Sequence, residues 1–336
     1  MPRGAARGLG ESTVSEVDLS VVIPSWNTRE LTRECLRSLR ADRNGLRREV
    51  LVVDNGSGDG SARMVAREFP EVVLLRNREN RLYAHANNQG ARRARGEFLC
   101  LLNSDTRVQR GALRRLVAFL EAHPEYGAAS PMLLDFDGSV QLACRRFPGL
   151  VLPLVESTSL RLLPAGRRLL ERAAMTDFDH RSSRDVEQPP AACMVMRRRE
   201  YLAMGGLDPR LGLYFNDVDL CRRLWRAGRR IRYVADAVVF HQRGGSTRAL
   251  DAAARTELHF CNRDAYFRKH HGGAGRWMSR TALVAHAAEQ TARIVLGPQS
   301  RAQTRQSLRR LGHLTRRCLR PAPEWHAGVA PALARD

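Results

Sequence analysis

"EVLVVDNGSGDGSARMVAREF", Glu49 to Phe69, runs from an apolar strand through an acidic, glycine-rich turn into a short amphipathic helix. Val50–Val53 is a continuous apolar run, the signature of a strand buried on both faces, and it ends at Asp54. Gly56, Gly58 and Gly60 follow at Gly-x-Gly-x-Gly spacing, not the Gly-x-Gly-x-x-Gly of a dinucleotide fingerprint. A carboxylate directly before them would repel a pyrophosphate, so the glycines are assigned to a turn that lets Asp54 point into a cleft. An acid at one strand end can equally be a turn cap.

The same alternation extends to both sides. "LSVVIP" reads as a buried strand closed by Pro24, and "TRELTRECLRSLR" carries Leu31, Cys35, Leu36 and Leu39 at helical spacing. "VVLLR", "YAHANNQGARRA" and "EFLCLLN" continue as strand, helix and strand, which predicts an α/β fold with a mostly parallel central sheet flanked by helices. Ligands then bind beyond the carboxyl ends of the strands, where the strand order reverses. Asp105, in "LLNSDT", is a second acid at such an end, ahead of the helix "RGALRRLVAFLEAH". It is a hard oxygen ligand suited to a divalent ion that also binds substrate phosphates, whereas Asn103 brings no charge.

Composition narrows the classes. The 336 residues, 43% hydrophobic, are enough for a sizeable core. Seven scattered cysteines with no ligand-spaced pair predict free thiols and a reducing compartment. No run nears the ~18 apolar residues of a membrane span, and the opening polar segment lacks the apolar stretch of a secretory signal, so a cytoplasmic protein is expected. Net charge is +21, mostly from arginine, and favours polyanions. Only 6% of residues are aromatic and they do not interleave the basic clusters, unlike a single-strand-binding platform.

In the second half, "LDFDGSVQ" resembles a hairpin and "LVLPLVESTSLRLLPAGRRLLERAA" a helical insertion, followed by the strand and short helix of "AACMVMRRREYLAMGGLD". In "YFNDVDLCRRLW", Asn216 reads as a helix N-cap with Asp217 and Asp219 in the first turn. That account uses no chemistry, yet it leaves unexplained His241, which ends the strand "IRYVADAVVF" and opens "HQRGGST". His241 reads equally as a metal ligand, a phosphate partner or a surface imidazole.

Four separated motifs, "VVIPSWNTRELTRECLRSL", "EVLVVDNGSGDGS", "ANNQGARRARGEFLCLLNSDT" and "GLDPRLGLYFNDVDLCRRLWRAGRRIRYVADAVVFHQRGGST", resemble those of inverting family 2 glycosyltransferases, in particular the bacterial rhamnosyltransferase-like branch. The resemblance covers about residues 18 to 248. It implies the GT-A nucleotide-sugar fold, Mg2+ or Mn2+, and sugar transfer from a nucleoside diphosphate, dTDP-rhamnose foremost, to a glycan or lipid-linked acceptor of a cell-surface polysaccharide. By this resemblance Asp54 lies near base and ribose, Asn103 and Asp105 form the Asn-x-Asp metal motif, Asp217 is the general base and His241 lies near diphosphate or metal. Pro24, Asn27, Asn55 and Asn88, from the same motifs, complete the expected nucleotide-sugar site, with Asn216, Asp219 and Arg222 facing the acceptor or supporting the base. Asn216 stands where the family usually has Glu, and Leu82, Tyr83 and Ala84 replace a commoner Gly-Phe-Ala.

The expected organisation is a polar leader (1–16), a GT-A domain (17–250) and a basic, mainly helical C-terminal region (251–336). Over 271–336 eleven arginines face three acids, and "SLRRLGHLTRRCLR" sets Leu308, Leu311, Thr315, Cys318 and Leu319 against Arg305, Arg309, Arg316 and Arg320. That pattern fits either a helix packed on the catalytic domain or one lying at an anionic membrane. The rival to the enzyme reading is a basic nucleic-acid-binding protein, which predicts micromolar or tighter binding with a steep salt slope. A filter-binding salt series separates them, and the enzyme reading expects only weak, nonspecific retention.

Overall fold

The computed structural model describes residues 16–42, 45–245, 252–298 and 300–319, so most of the leader and the chain beyond 319, including Arg320, lie outside the described residues. Among these residues nine strands form one sheet: β1 (Leu19–Ser25), β2 (Arg48–Asp54), β3 (Val73–Arg76), β4 (Phe98–Leu102), β5 (Thr106–Val108), β6 (Tyr126–Leu134), β7 (Arg184–Asp185), β8 (Cys193–Arg197) and β9 (Arg230–His241). Their order is β3-β2-β1-β4-β8-β6-β9-β5, with β7 also on β9. The helices are α1 (Arg29–Ala41), α2 (Ser61–Glu68), α3 (Leu82–Arg93), α4 (Ala112–Ala122), α5 (Leu152–Ser157), α6 (Pro164–Ala173), α7 (Arg198–Ala203), α8 (Asn216–Arg226), α9 (Ala252–Leu296) and α10 (Arg301–Leu319).

Strand residues alternate between two cores, as the two-residue period of a strand requires. Val21, Ile23 and Val52 pack with Cys35 and Leu36 of α1, Val65 of α2 and Leu116 of α4. Val22, Leu51 and Val53 pack on the other face with Ala84 of α3, Tyr201 of α7 and Leu220 of α8. Helix α3 comes so close to β1 that a Cβ on Gly90 would lie 2.4 Å from Val22 Cγ1.

The expectation of a mostly parallel sheet describes one half. β1 pairs in parallel with β2 and β4, and β2 with β3. Beyond β4 the sheet is mixed, because β8 runs antiparallel to β4 and β6, and β5 antiparallel to β9, while β6 and β9 are parallel. From β1 the chain winds outward through β2 and β3, then returns to β4 on the other side. The reversal opens a crevice between the carboxyl ends of β1 and β4.

The C-terminal region is built onto this domain. Gly272 (φ 60°, ψ −143°) breaks α9 into two arms. On the first arm, Lys269 Nζ and His270 Nε2 lie 2.6 and 2.7 Å from Asp219 of α8. Arg223 Nε reaches the same carboxylate at 2.8 Å, so a fully buried acid is met by three cationic or donor groups. Burial opposes that charge, yet the His270 hydrogen bond and the Arg223 and Lys269 charges hold the carboxyl below its ordinary value. Arg222 Nη1 contacts Tyr266 Oη and His271 Nε2, each at 3.0 Å. Helix α10 lies on α9 through Cys318, buried with Phe260, Cys261 and Leu283. The expected contact of the tail helix with the catalytic domain is thus replaced, over the described residues, by a contact with α9, and of its apolar face only Cys318 is buried.

Removing one partner of such a buried cluster strands the others, so Asp219→Ala is expected to cost about 3–5 kcal/mol in urea unfolding. The lowered carboxyl contributes stability above the unfolded value of about 4 and loses it as pH falls through the folded value. The variant's deficit should accordingly shrink in acid; a deficit independent of pH would show that the charges do not carry the contact.

Candidate functional site

Three strand ends meet at the crevice. Pro24, Ser25 and Trp26 leave β1, Asn55 follows β2, and Asn103 and Ser104 follow β4; Asn80, Leu82, Tyr83 and Leu213 close the far wall of the pocket. A buried hydroxyl cluster holds two of these ends in register, with Thr28 Oγ1 3.1 Å from Ser25 Oγ and 3.1 Å from Ser104 Oγ. Asn27 clasps the glycine turn, accepting from Gly58 N at 2.8 Å through Oδ1 and donating from its own N to Ser57 Oγ at 3.0 Å. Asp54 is 3% exposed and accepts from Ser57 N at 3.2 Å through Oδ2, while Oδ1 is buried with no hydrogen-bond partner among the described residues. A buried acceptor left open beside a crevice asks for a donor such as a ribose hydroxyl or a base N–H.

At the β4 end, Asp105 is 1% exposed and its Oδ1 lies 3.5 Å from His241 Nε2. The tautomer follows from Gln141, whose Nε2 donates to Asp135 Oδ1 and to His241 O, both at 2.7 Å. Its Oε1 therefore faces His241 Nδ1 at 3.1 Å and takes that proton. Nε2 is thereby turned toward the Asp105 carboxylate. A Cβ on Gly245 would lie 2.9 Å from Asp105 Cβ and 3.0 Å from Oδ2, so only glycine lets the chain after His241 cover this acid. Among the described residues no group of three His, Cys, Asp or Glu side chains is arranged to hold a metal alone. Asp105 and His241 fit an ion whose remaining ligands are phosphate oxygens and water.

Asp217 sits in the first turn of α8. Burial raises its carboxyl above the ordinary aspartate range, outweighing hydrogen bonds from the backbone N–H groups of Val218 and Ala191. The Val218 bond is 2.8 Å. Tyr83 donates its hydroxyl to Ala191 O at 3.0 Å, so the backbone of one residue, Ala191, contacts both Tyr83 and Asp217 through its successive peptide groups. Burial, then the Asp217 charge and more weakly Asp105, push Tyr83 well above its usual value, so it stays a donor.

Residues 20–162 match the family model described as glycosyl transferase family 2. Over those residues the chain matches a family 2 glycosyltransferase domain, set in an α/β fold of the GT-A kind. The N-acetylglucosaminyl-diphospho-decaprenol L-rhamnosyltransferase of Mycobacterium tuberculosis is 29% identical over 249 residues, covering 70% of this chain and 80% of that protein. The O-antigen biosynthesis protein RfbC of Myxococcus xanthus is 30% identical over 234 residues, 69% of this chain but 18% of RfbC. Among solved structures, the mannosyltransferase PcManGT of Pyrobaculum calidifontis, in complex with GDP-Man and Mn2+, aligns over 90% of this chain and 88% of its own at 20% identity and a TM-score of 0.49.

Several expected site residues of the glycosyltransferase have structural duties instead. Asn88 does not line the crevice: its Nδ2 donates to Leu207 O at 2.7 Å, and its Oδ1 accepts from Tyr201 Oη at 2.5 Å and Leu207 N at 2.9 Å. Asn216 is not the N-cap; Phe215 holds that place with φ 65°, and Asn216 Nδ2 turns back to Gly212 O at 3.2 Å. Asp219 and Arg222 are committed to α9. Asn55 lines the pocket and also accepts from Asn77 Nδ2 at 2.9 Å. Tyr83, Gln141, Ala191 and Gly245 are the additions that sequence reasoning did not supply.

If Asp217 is the base, Asp217→Asn should lower turnover by roughly 100- to 10000-fold. A carboxyl with a raised folded value contributes stability below its unfolded value and loses it as pH rises through the folded one. The neutral variant should consequently melt at or above the parent temperature at pH 7. Near-parental turnover, or a marked fall in melting temperature, would show a structural role.

Proposed function

We propose that the protein transfers a sugar, with inversion, from a nucleoside diphosphate donor to a hydroxyl of a glycan or lipid-linked acceptor. The observation that carries this reading is a pair of acids at the crevice: Asp105, 3.5 Å from His241 Nε2, and Asp217, made more basic by burial. The first suits a diphosphate with its counter-ion, the second an acceptor hydroxyl.

Asp54 would take donor hydrogen bonds from the base or ribose through Oδ1, while Asn103 and Asp105 meet the diphosphate. Mg2+ or Mn2+ held there, with Asp105 and His241 as its protein ligands, would supply charge neutralisation to the leaving diphosphate. Asp217 accepts the proton of the acceptor hydroxyl as its oxygen bonds to the anomeric carbon from the face opposite the leaving group. The bond from that carbon to the phosphate oxygen breaks, its electron pair leaves with the nucleoside diphosphate, and no covalent enzyme intermediate forms. The likeness to an N-acetylglucosaminyl-diphospho-decaprenol rhamnosyltransferase supports rhamnose and a lipid-linked acceptor, which the protein would meet at a membrane surface. Among the described residues no helix is long and apolar enough to cross one.

Calorimetry with dTDP, UDP and GDP should show tighter binding with Mg2+ or Mn2+ than with chelator, and Asp105→Ala should erase the difference. Equal affinities in the parent protein would overturn the metal role. A thermal-shift panel of dTDP-rhamnose against UDP- and GDP-linked sugars identifies the donor by the largest stabilisation; no shift with any of them would overturn the transferase reading.

A further inference from the structure

The two arms of α9 and helix α10 converge on a second cleft, of about 700 Å3, the size of a small-molecule site. Its floor is apolar: Ala253 from the first arm, Ile294 from the second, and Leu311 and Leu314 from α10. Arg309, Arg310 and Arg316, with His286 and His313, stand around it. The acid in the lining is Glu257, already paired with Arg317. Among the described residues neither Arg309 nor Arg310 makes an ion pair, and both are exposed. Next to Ile294, Val295 and Leu296 are 58% and 85% exposed, an apolar lip where the second arm ends.

We infer that this cleft binds one phosphorylated, single-chain lipid, its chain on the Ile294–Leu311–Leu314 floor and its phosphate among the arginines. An apolar ligand alone would leave the guanidinium groups without anions, and a free phosphate would leave the floor and lip wet; an amphiphilic anion satisfies both. The first arm of α9 runs from the cleft to the head of α8. Thr256 lines it, and one helical turn further along α9 the His259 ring packs 5.4 Å from Phe215, two residues before Asp217. The site would hold the lipid end of an acceptor, and in that sense it rests on the lipid-linked reading of the acceptor.

Farnesyl diphosphate is a soluble probe of this chemistry, to be titrated calorimetrically into the full chain in EDTA, without sugar nucleotide. It should bind at least about tenfold more tightly than inorganic diphosphate or farnesol. The double variant Arg309→Glu/Arg310→Glu, at exposed and unpaired positions, and separately Ile294→Glu should each lose about tenfold or more while keeping the parent melting temperature. Farnesol binding as tightly, unchanged affinity in the variants, or displacement of the probe by a nucleoside diphosphate would overturn the inference. Retention on phosphatidylglycerol vesicles through Arg309 and Arg310 without farnesyl diphosphate binding would assign the arginines to a bilayer surface and overturn it as well. Because donor and metal are absent, failure here leaves the transferase reading intact, and that reading fails separately in the nucleotide panel.

Discussion

A fully buried carboxylate, Asp219, decides how the catalytic domain and the helical region meet. Desolvating such a charge is expensive, and it is tolerated because Arg223 on its own helix and Lys269 and His270 on α9 all reach it. Two residues earlier on the same turn stands Asp217, so the groups that fix α8 against α9 also fix where the candidate base points. The two acids diverge in character within half a helical turn. Asp219 is surrounded by cations and stays charged, while Asp217 meets only backbone donors and is pushed toward protonation.

That division is a reason to regard α9 as part of the catalytic unit. Its first arm supplies four of the partners of α8, Tyr266, Lys269, His270 and His271, and its second arm binds the segment after α5 through Glu289, which accepts from Ser159 N at 2.8 Å. The kink at Gly272 sends the chain back along itself, which is how residues 253 and 294 come to share one cleft.

The parallel half of the sheet was legible because its strands are unbroken apolar runs between amphipathic helices. β6 was not: "YGAASPMLL" holds glycine, serine and proline, and its pairing with β9 slips at Pro131/Met132. Its burial comes from neighbours on both sides, which no local pattern announces. The antiparallel insertion of β8 was hidden for a related reason, since a buried strand reads alike in either direction. At the site, acids at strand ends were readable from position alone. Asn88 misled because an amide serves a ligand or a backbone equally well, and only the approach of Gly206 and Leu207 settles which. The Tyr83–Ala191–Asp217 link joins positions over a hundred residues apart through the backbone of Ala191, and backbone groups have no side-chain signature.

Asn27, Leu82 and Phe215 carry left-handed backbone at φ 52°, 63° and 65°, and they stand beside the β1 exit, at the head of α3 and at the head of α8. Each conformation costs about 1–2 kcal/mol relative to what an L-residue prefers. Glycine at any of them would relieve strain and cast off a side chain in use: the Asn27 amide on the glycine turn, the Leu82 wall of the crevice, or the Phe215 ring packed on His259 and Tyr266. A search for hardier variants would be drawn to these three places first, and would find there that robustness and turnover are set against each other. These three turns are thus where this fold has least freedom to improve one property without surrendering the other.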